Sequence, residues 1–430
     1  MARLILSGGA VLTVNAADEV LHAADILVED GVIAALGAAG TLARSGDAVL
    51  DCRDTVVTPG LVNVHTHAGT ALFRGRVEDA PRDFWAGQYR VPGQERLNLD
   101  DYALSARAAC AEFLLNGVTC IADRLAGMAR IAPKIEASGI RAIVGETLSD
   151  ARGADGWREA EAVLERFGLD PAASRVTAGL APHALDSCSD ALLAECGRRA
   201  ERLGARVFIH VAQSEPEIDA VRRRGHDGVL ACLRATGLDV PHVVAAHAIY
   251  LSEAEIDAWP ESGIAIAHCP ASNLKIEART LPIHRLVGRV PIGLGTDWTA
   301  SDNAMDLLAE ARLAALAGKL LAGDPQALPV RQMIRMLTID GARVLGLDRL
   351  VGSIEPGKRA DLVVFDTGRL EANPRHDLAA NLLYSMSVRC VRDVLVDGTL
   401  LVRDFRLTRE DERALARSHH DHATRLDGRG

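Results

Sequence analysis

The chain has no Cys-x-x-Cys pair. Its 8 cysteines (Cys52, Cys110, Cys120, Cys188, Cys196, Cys232, Cys269 and Cys390) are scattered, so neither a zinc knuckle nor a redox dithiol is signalled. Several sit in apolar runs, as in Val118-Thr119-Cys120-Ile121, the pattern of buried free thiols in a reducing compartment. No apolar stretch is long enough to span a bilayer. Met1 to Gly8 lacks the apolar core of a signal peptide, so a cytoplasmic protein is expected. A basic excess is also missing. The formal net charge is -10, which argues against nucleic acid or an anionic membrane as partner. The short run Arg222, Arg223, Arg224 has acids nearby and is read as a solvated helix face. Solenoid-length repeats and low-complexity linkers are absent.

What is present is ordinary globular composition: 430 residues, 48% hydrophobic and 25% charged. That length favours a large barrel with an added domain, or two to three domains. Both ends are β-rich. Glu29-Asp30-Gly31 separates two strand-like runs, and Asp397-Gly398 separates two more, both hairpin signals. The middle alternates short apolar runs with Ala/Leu/Glu/Arg-rich helical stretches, such as Asp101 to Asn116 and Asp190 to Leu203. Eight strand candidates begin near Leu61, Val118, Arg141, Arg175, Arg206, Val243, Ile264 and Ile292. Strands alternating with helices imply parallel βαβ units, and eight of them a TIM barrel. The predicted fold is α/β: a distorted (β/α)8 barrel over 58–354, with a small β-sandwich domain from 1–57 and 355–430.

Polar residues fall at the strand ends. His65 and His67 follow the first strand, His183 the fourth, His210 the fifth, His247 the sixth, His268 the seventh and Asp297 the eighth. A barrel brings its C-terminal strand ends to one mouth, so histidines distant in sequence share a site. In strand geometry residues i and i+2 face the same way, which lets His65 and His67 chelate one ion. A lone His-x-His is weak, since surface histidines give the same pattern; joined by His210 and Asp297 it becomes a metal site. Satisfied core residues are the competing reading, held open for His268 and His183. Bound metal lowers the pKa of water to about 7. Asp297 can bind the ion and accept the nucleophile's proton, while His247 orients the nucleophile.

These residues resemble the amidohydrolase superfamily over nearly the whole chain. The motifs are Pro59-Gly60-Leu61-Val62-Asn63-Val64-His65-Thr66-His67, Ala246-His247, His268-Cys269-Pro270-Ala271-Ser272-Asn273-Leu274-Lys275, Gly295-Thr296-Asp297, and Gly352-Ser353-Ile354-Glu355-Pro356-Gly357-Lys358-Arg359-Ala360-Asp361-Leu362. The nearest branch holds methylthioadenosine/S-adenosylhomocysteine deaminases, guanine deaminase and triazine hydrolases. The resemblance implies one divalent metal ion per subunit on His65, His67, His210 and Asp297, with zinc expected and iron the other candidate. It also implies His247 beside the water and a homodimer. The expected reaction is hydrolytic deamination of a small-molecule nitrogen heterocycle (purine, pyrimidine, pterin or triazine type) by metal-bound hydroxide. The alternatives are a chlorohydrolase of a triazine-like ring, a cyclic-amide hydrolase, and a non-catalytic scaffold.

Two positions depart from the branch. Gln213 stands where the family has a proton-shuttling glutamate, and an amide cannot cycle a proton; Glu215 and Glu217 are the nearby acids. Gln94 stands where nucleoside deaminases carry a ribose-binding glutamate, with Glu95 one residue off. His183 matches a substrate-contacting histidine, with a loop-capping role as the competitor. Trp85 could stack on a planar ring or pack its loop. Trp298 would narrow the pocket or supply a stacking wall. Ser301 and Asn303 are further lining candidates.

Overall fold

The structure, a computed structural model, describes residues 3–80 and 97–427. Five strands come first: β1 (Arg3–Leu12), β2 (Val20–Glu29), β3 (Val32–Ala38), β4 (Ala48–Asp51) and β5 (Thr55–Pro59). Eight follow in the middle: β6 (Leu61–Thr66), β7 (Val118–Leu125), β8 (Arg141–Leu148), β9 (Val176–Pro182), β10 (Val207–Val211), β11 (Val243–His247), β12 (Ala265–His268) and β13 (Ile292–Leu294). Four close the chain: β14 (Leu362–Asp366), β15 (Val391–Val396), β16 (Thr399–Arg403) and β17 (Arg406–Leu407).

The first five and last four form one mixed sheet in the order β17-β16-β15-β14-β5-β1-β2-β3, with β4 beside β1. Both hairpin signals hold. Glu29 pairs with Val32 across Asp30-Gly31, and Val396 with Thr399 across Asp397-Gly398. All four turn residues have positive φ, the geometry that matches strand twist in a two-residue turn.

The middle eight strands are parallel and lie in sequence order, β6 to β13. A parallel bridge between Thr66 and Asp297 brings the first and last strands together. The backbone N–H of Asp297 donates to His65 at 3.0 Å, and that of His67 to Asp297 at 3.3 Å. This is the expected TIM-like barrel. Gly60 lies at the passage from β5 to β6, where a Cβ would fall 1.9 Å from Thr119 Oγ1; only glycine permits that approach.

Strand alternation sorts the core into two layers. Val62, Val64, Cys120, Ala122, Ile143, Phe208, Val244, Ala246, Ala265 and Ala267 fill the barrel interior. Their neighbours Leu61, Ile121, Val207, Ile209, Val243, Ala245 and Ile266 pack in a separate cluster that takes in the helices. The helix expected from Asp101 runs Leu99–Leu115, because Asn98 and Asp101 form a capping box that starts it earlier. The helix Asp190–Leu203 falls where expected, capped by Ser189 and stopped by Gly204 at φ 67°.

At the base of β8, Arg141 is buried and joins the two sheets. Its guanidinium meets Asp361 at 2.8 and 3.0 Å and Asp397 at 2.6 Å. All eight cysteines are buried and free. No helix among the described residues is long and apolar enough to cross a membrane.

Candidate metal centre

Alternation continued one step past the apolar layer delivers two side chains to the mouth. Ala122 is followed at i+2 by Arg124, and Phe208 by His210. The other site residues depend on breaks in that rhythm. Val62 and Val64 set a phase that would turn His65 outward, but the β6–β7 register shifts between Asn63 and Thr66. His247, the last residue of β11, and Asp297, three residues past β13, have φ of 77° and 58°. Such strain on non-glycine residues costs about 1–3 kcal/mol each and gathers where side chains must be aimed.

The result is a compact donor set. His65, His210, His247 and Asp297 each offer an atom within 4.8 Å of the others', and all four are buried. His67 joins them: its Nε2 and that of His65 both lie 3.2 Å from Asp297 Oδ1. The imidazole rings of His65 and His210 have centroids 5.0 Å apart. Ser272 donates to Asp297 Oδ2 at 2.5 Å, fixing the carboxylate.

Electrostatics suit an ion. Burial drives the His65 imidazole down to about 3 and His210 well below its usual range, so both stay neutral, the form that binds metal. Burial opposes ionisation of Asp297, but the imidazoles of His65, His67 and His247 around it prevail and hold its carboxyl well below the ordinary value. Neutral imidazoles with one carboxylate match zinc or a similar divalent ion.

Neighbouring groups orient the set. His67 Nδ1 donates to the Arg124 carbonyl at 2.6 Å, and His247 Nδ1 to Asn273 Oδ1 at 2.8 Å. His183 lies beside His210, ring centroids 5.1 Å apart, with Nδ1 2.7 Å from Ser187 Oγ. Arg124, 1% exposed, donates to the His183 carbonyl at 2.9 Å and reaches His210 Nδ1 at 3.1 Å. Burial pulls its guanidinium down to about 10.

The remaining expected residues are spread around this core. Gln213 is half-buried just past β10; its N–H donates to Glu217 Oε2 at 2.7 Å. Glu217 is buried under that backbone and Glu215 is exposed. Trp298 is buried against Phe73, centroids 5.1 Å apart, in a cluster with Ala300, Leu97 and Tyr102. Ser301 is buried and donates to the Trp298 carbonyl. Asn303 bonds Lys275 and Glu78. Trp85, Gln94 and Glu95 lie outside the described residues.

Ser272, Asn273 and Arg124 are not singled out by the sequence pattern. Ser272 and Asn273 sit within the motif that follows β12. Arg124 ends β7, and the rule that polar residues at barrel-strand ends face the site applies to it equally.

The amidohydrolase family model matches residues 56–401. A 5-methylthioadenosine/S-adenosylhomocysteine deaminase of Desulforudis audaxviator is 35% identical over 434 residues, covering 99% of each chain. A 5'-deoxyadenosine deaminase of Methanosarcina mazei is 34% identical, covering 96% of this chain and 95% of the relative. Among solved structures, an adenosine deaminase from Xanthomonas campestris with bound zinc superposes at a TM-score of 0.94, with 31% identity and 99% of each chain covered.

Proposed function

The chain belongs to the amidohydrolase family, and from that premise we propose that it is a metal-dependent deaminase of adenine-type nucleosides. The convergence of His65, His67 and His210 on Asp297, with His247 alongside, carries this reading. His65, His67, His210 and Asp297 hold the ion, assigned as zinc by analogy with the Xanthomonas relative. When bound, such an ion lowers the pKa of water from about 15.7 to about 7 and polarises the site.

The chain's own residues supply the rest. Asp297, with one oxygen held by Ser272, takes a proton from the attacking water. His247 donates from Nδ1 to Asn273, which leaves the lone pair on Nε2 to accept a hydrogen bond from that water. Gln213 donates an amide hydrogen bond to a ring nitrogen. His183 and Trp298 are assigned to substrate contact, together with Trp85 and Gln94.

Gln213 favours one second reading. A leaving group that departs without protonation, such as a halide on a triazine-like ring, has less need of the missing carboxylate. A cyclic amide is the other substrate of this kind.

The metal content of purified protein tests the assignment of ligands. One equivalent in the wild type, lost in His65→Ala and Asp297→Ala, is expected. Full metal retention in both variants would overturn it.

A further inference from the structure

Lys275 ends the motif that follows β12, and the metal centre makes no use of it. It lies on the helix Pro270–Glu277, three residues past Ser272. Its ammonium donates to the Ala300 carbonyl at 2.9 Å and to Asn303 Oδ1 at 3.1 Å, and pairs with Glu78 Oε2 at 2.5 Å. An ammonium has three donors, and these contacts engage all three. Asn303 Nδ2 donates in turn to Glu78 Oε1 at 2.8 Å. The three side chains come from the segments that follow β12, β13 and β6.

Two of those segments already run against each other. Thr70 and Phe73 belong to the 3-10 turn Ala68–Phe73, directly after His67. Trp298 and Thr299 directly follow Asp297. The Thr299 N–H donates to Thr70 Oγ1 at 3.3 Å, and the rings of Phe73 and Trp298 have centroids 5.1 Å apart. Polar contacts therefore flank the aromatic pair: Thr70 with Thr299 close to the ligands in sequence, and Glu78 with Asn303 further along both segments. Asn303 has φ 70° and ψ −36°, outside the ordinary left-handed well. Such a conformation persists only where surrounding contacts impose it, and Lys275 and Glu78 provide those contacts.

The side chains of Lys275 and Glu78 are 24% and 41% exposed. An ion pair so open to water adds little to global stability. Its effect is local. We propose that Lys275 is a positioning residue that tethers the segment 298–303 to the segment after β6 and so holds Trp298 in place for contact with the planar ring of the substrate. This role rests on the reading of Trp298 as a substrate contact.

Two measurements on Lys275→Met, which removes the charge at similar length, test the tether. The KM for 5'-deoxyadenosine is expected to rise about three- to tenfold, the range that an aromatic contact contributes, with kcat within about twofold of the wild type. An unchanged KM in the folded variant would overturn the proposal. So would loss of metal or a matched fall in kcat, which would show that the helix carrying Ser272 and Asn273 has shifted instead. Acrylamide quenching of Trp298 fluorescence, isolated by subtracting the signal of Trp298→Phe in each background, needs no substrate. It is expected to increase in Lys275→Met while the urea midpoint stays the same. Equal quenching would overturn the proposal. Failure of the wild type to deaminate any adenine nucleoside would instead overturn the deaminase reading, and the quenching would then decide the tether by itself.

Discussion

His247 and Asn273 are joined by a hydrogen bond of 2.8 Å from imidazole Nδ1 to amide Oδ1. The amide accepts, so the ring keeps its proton on Nδ1 and its lone pair on Nε2. Partners of this kind are worth about 10–100-fold in activity when removed. Asn273→Ala is expected to lower kcat by that factor with little change in KM. Asn273→Asp still accepts from Nδ1 and should recover most of the loss. Equal losses in both variants would show that Asn273 only fills space.

Gln213 is proposed to donate an amide hydrogen bond to a ring nitrogen, a place where a carboxylic acid could also cycle a proton. Glu217 does not replace it, because both its oxygens accept backbone N–H groups, from Ala212 at 3.1 Å and Gln213 at 2.7 Å. General acid–base catalysis contributes about 10²–10⁴-fold where it operates. Gln213→Glu is therefore expected to raise kcat on adenine nucleosides by about tenfold or more. A lower kcat in steady-state assays would mean that the amide itself is the better partner.

Glu217 also makes stability depend on pH. Burial raises its carboxyl to about 8 in the folded protein, against about 4.3 in an unfolded chain. Between those values the folded state binds more protons than the unfolded one, so this group's contribution falls as pH rises from about 4.3 to 8. Denaturant midpoints measured across that window should decline less steeply in Glu217→Gln than in the wild type. An unchanged slope would contradict the assignment.

Arg141 bonds Asp361 and Asp397 between the two sheets, with its side chain 3% exposed. Removing one partner of a buried pair leaves the others uncompensated, at about 3–5 kcal/mol. Arg141→Ala is expected to lose that much in urea unfolding while a folded fraction still binds one metal. A loss below about 1 kcal/mol would mean that water replaces the guanidinium.

Much of this was legible in the sequence, and the reason is geometric. Barrel strands alternate, and their C-terminal ends converge, so His65, His67, His210, His247 and Asp297 could be grouped from strand order alone. The chain ends gave up their hairpins through Asp30-Gly31 and Asp397-Gly398, where turn chemistry is local. Less legible were residues that act through others. Ser272 and Asn273 reach Asp297 and His247 from the helix Pro270–Glu277, a contact set by tertiary packing. Arg124 looked like any strand-end polar residue until its guanidinium was seen against His210. The positive φ at His247 and Asp297 likewise leaves no trace in composition.

The most direct test is ammonia release by the metal-loaded protein from 5'-deoxyadenosine, 5-methylthioadenosine and adenosine, beside aminopyrimidines, pterins and aminotriazines, with His65→Ala as control. Release from the adenine nucleosides, lost in His65→Ala, is the predicted result. Silence from every adenine nucleoside, with one equivalent of metal bound, would contradict it.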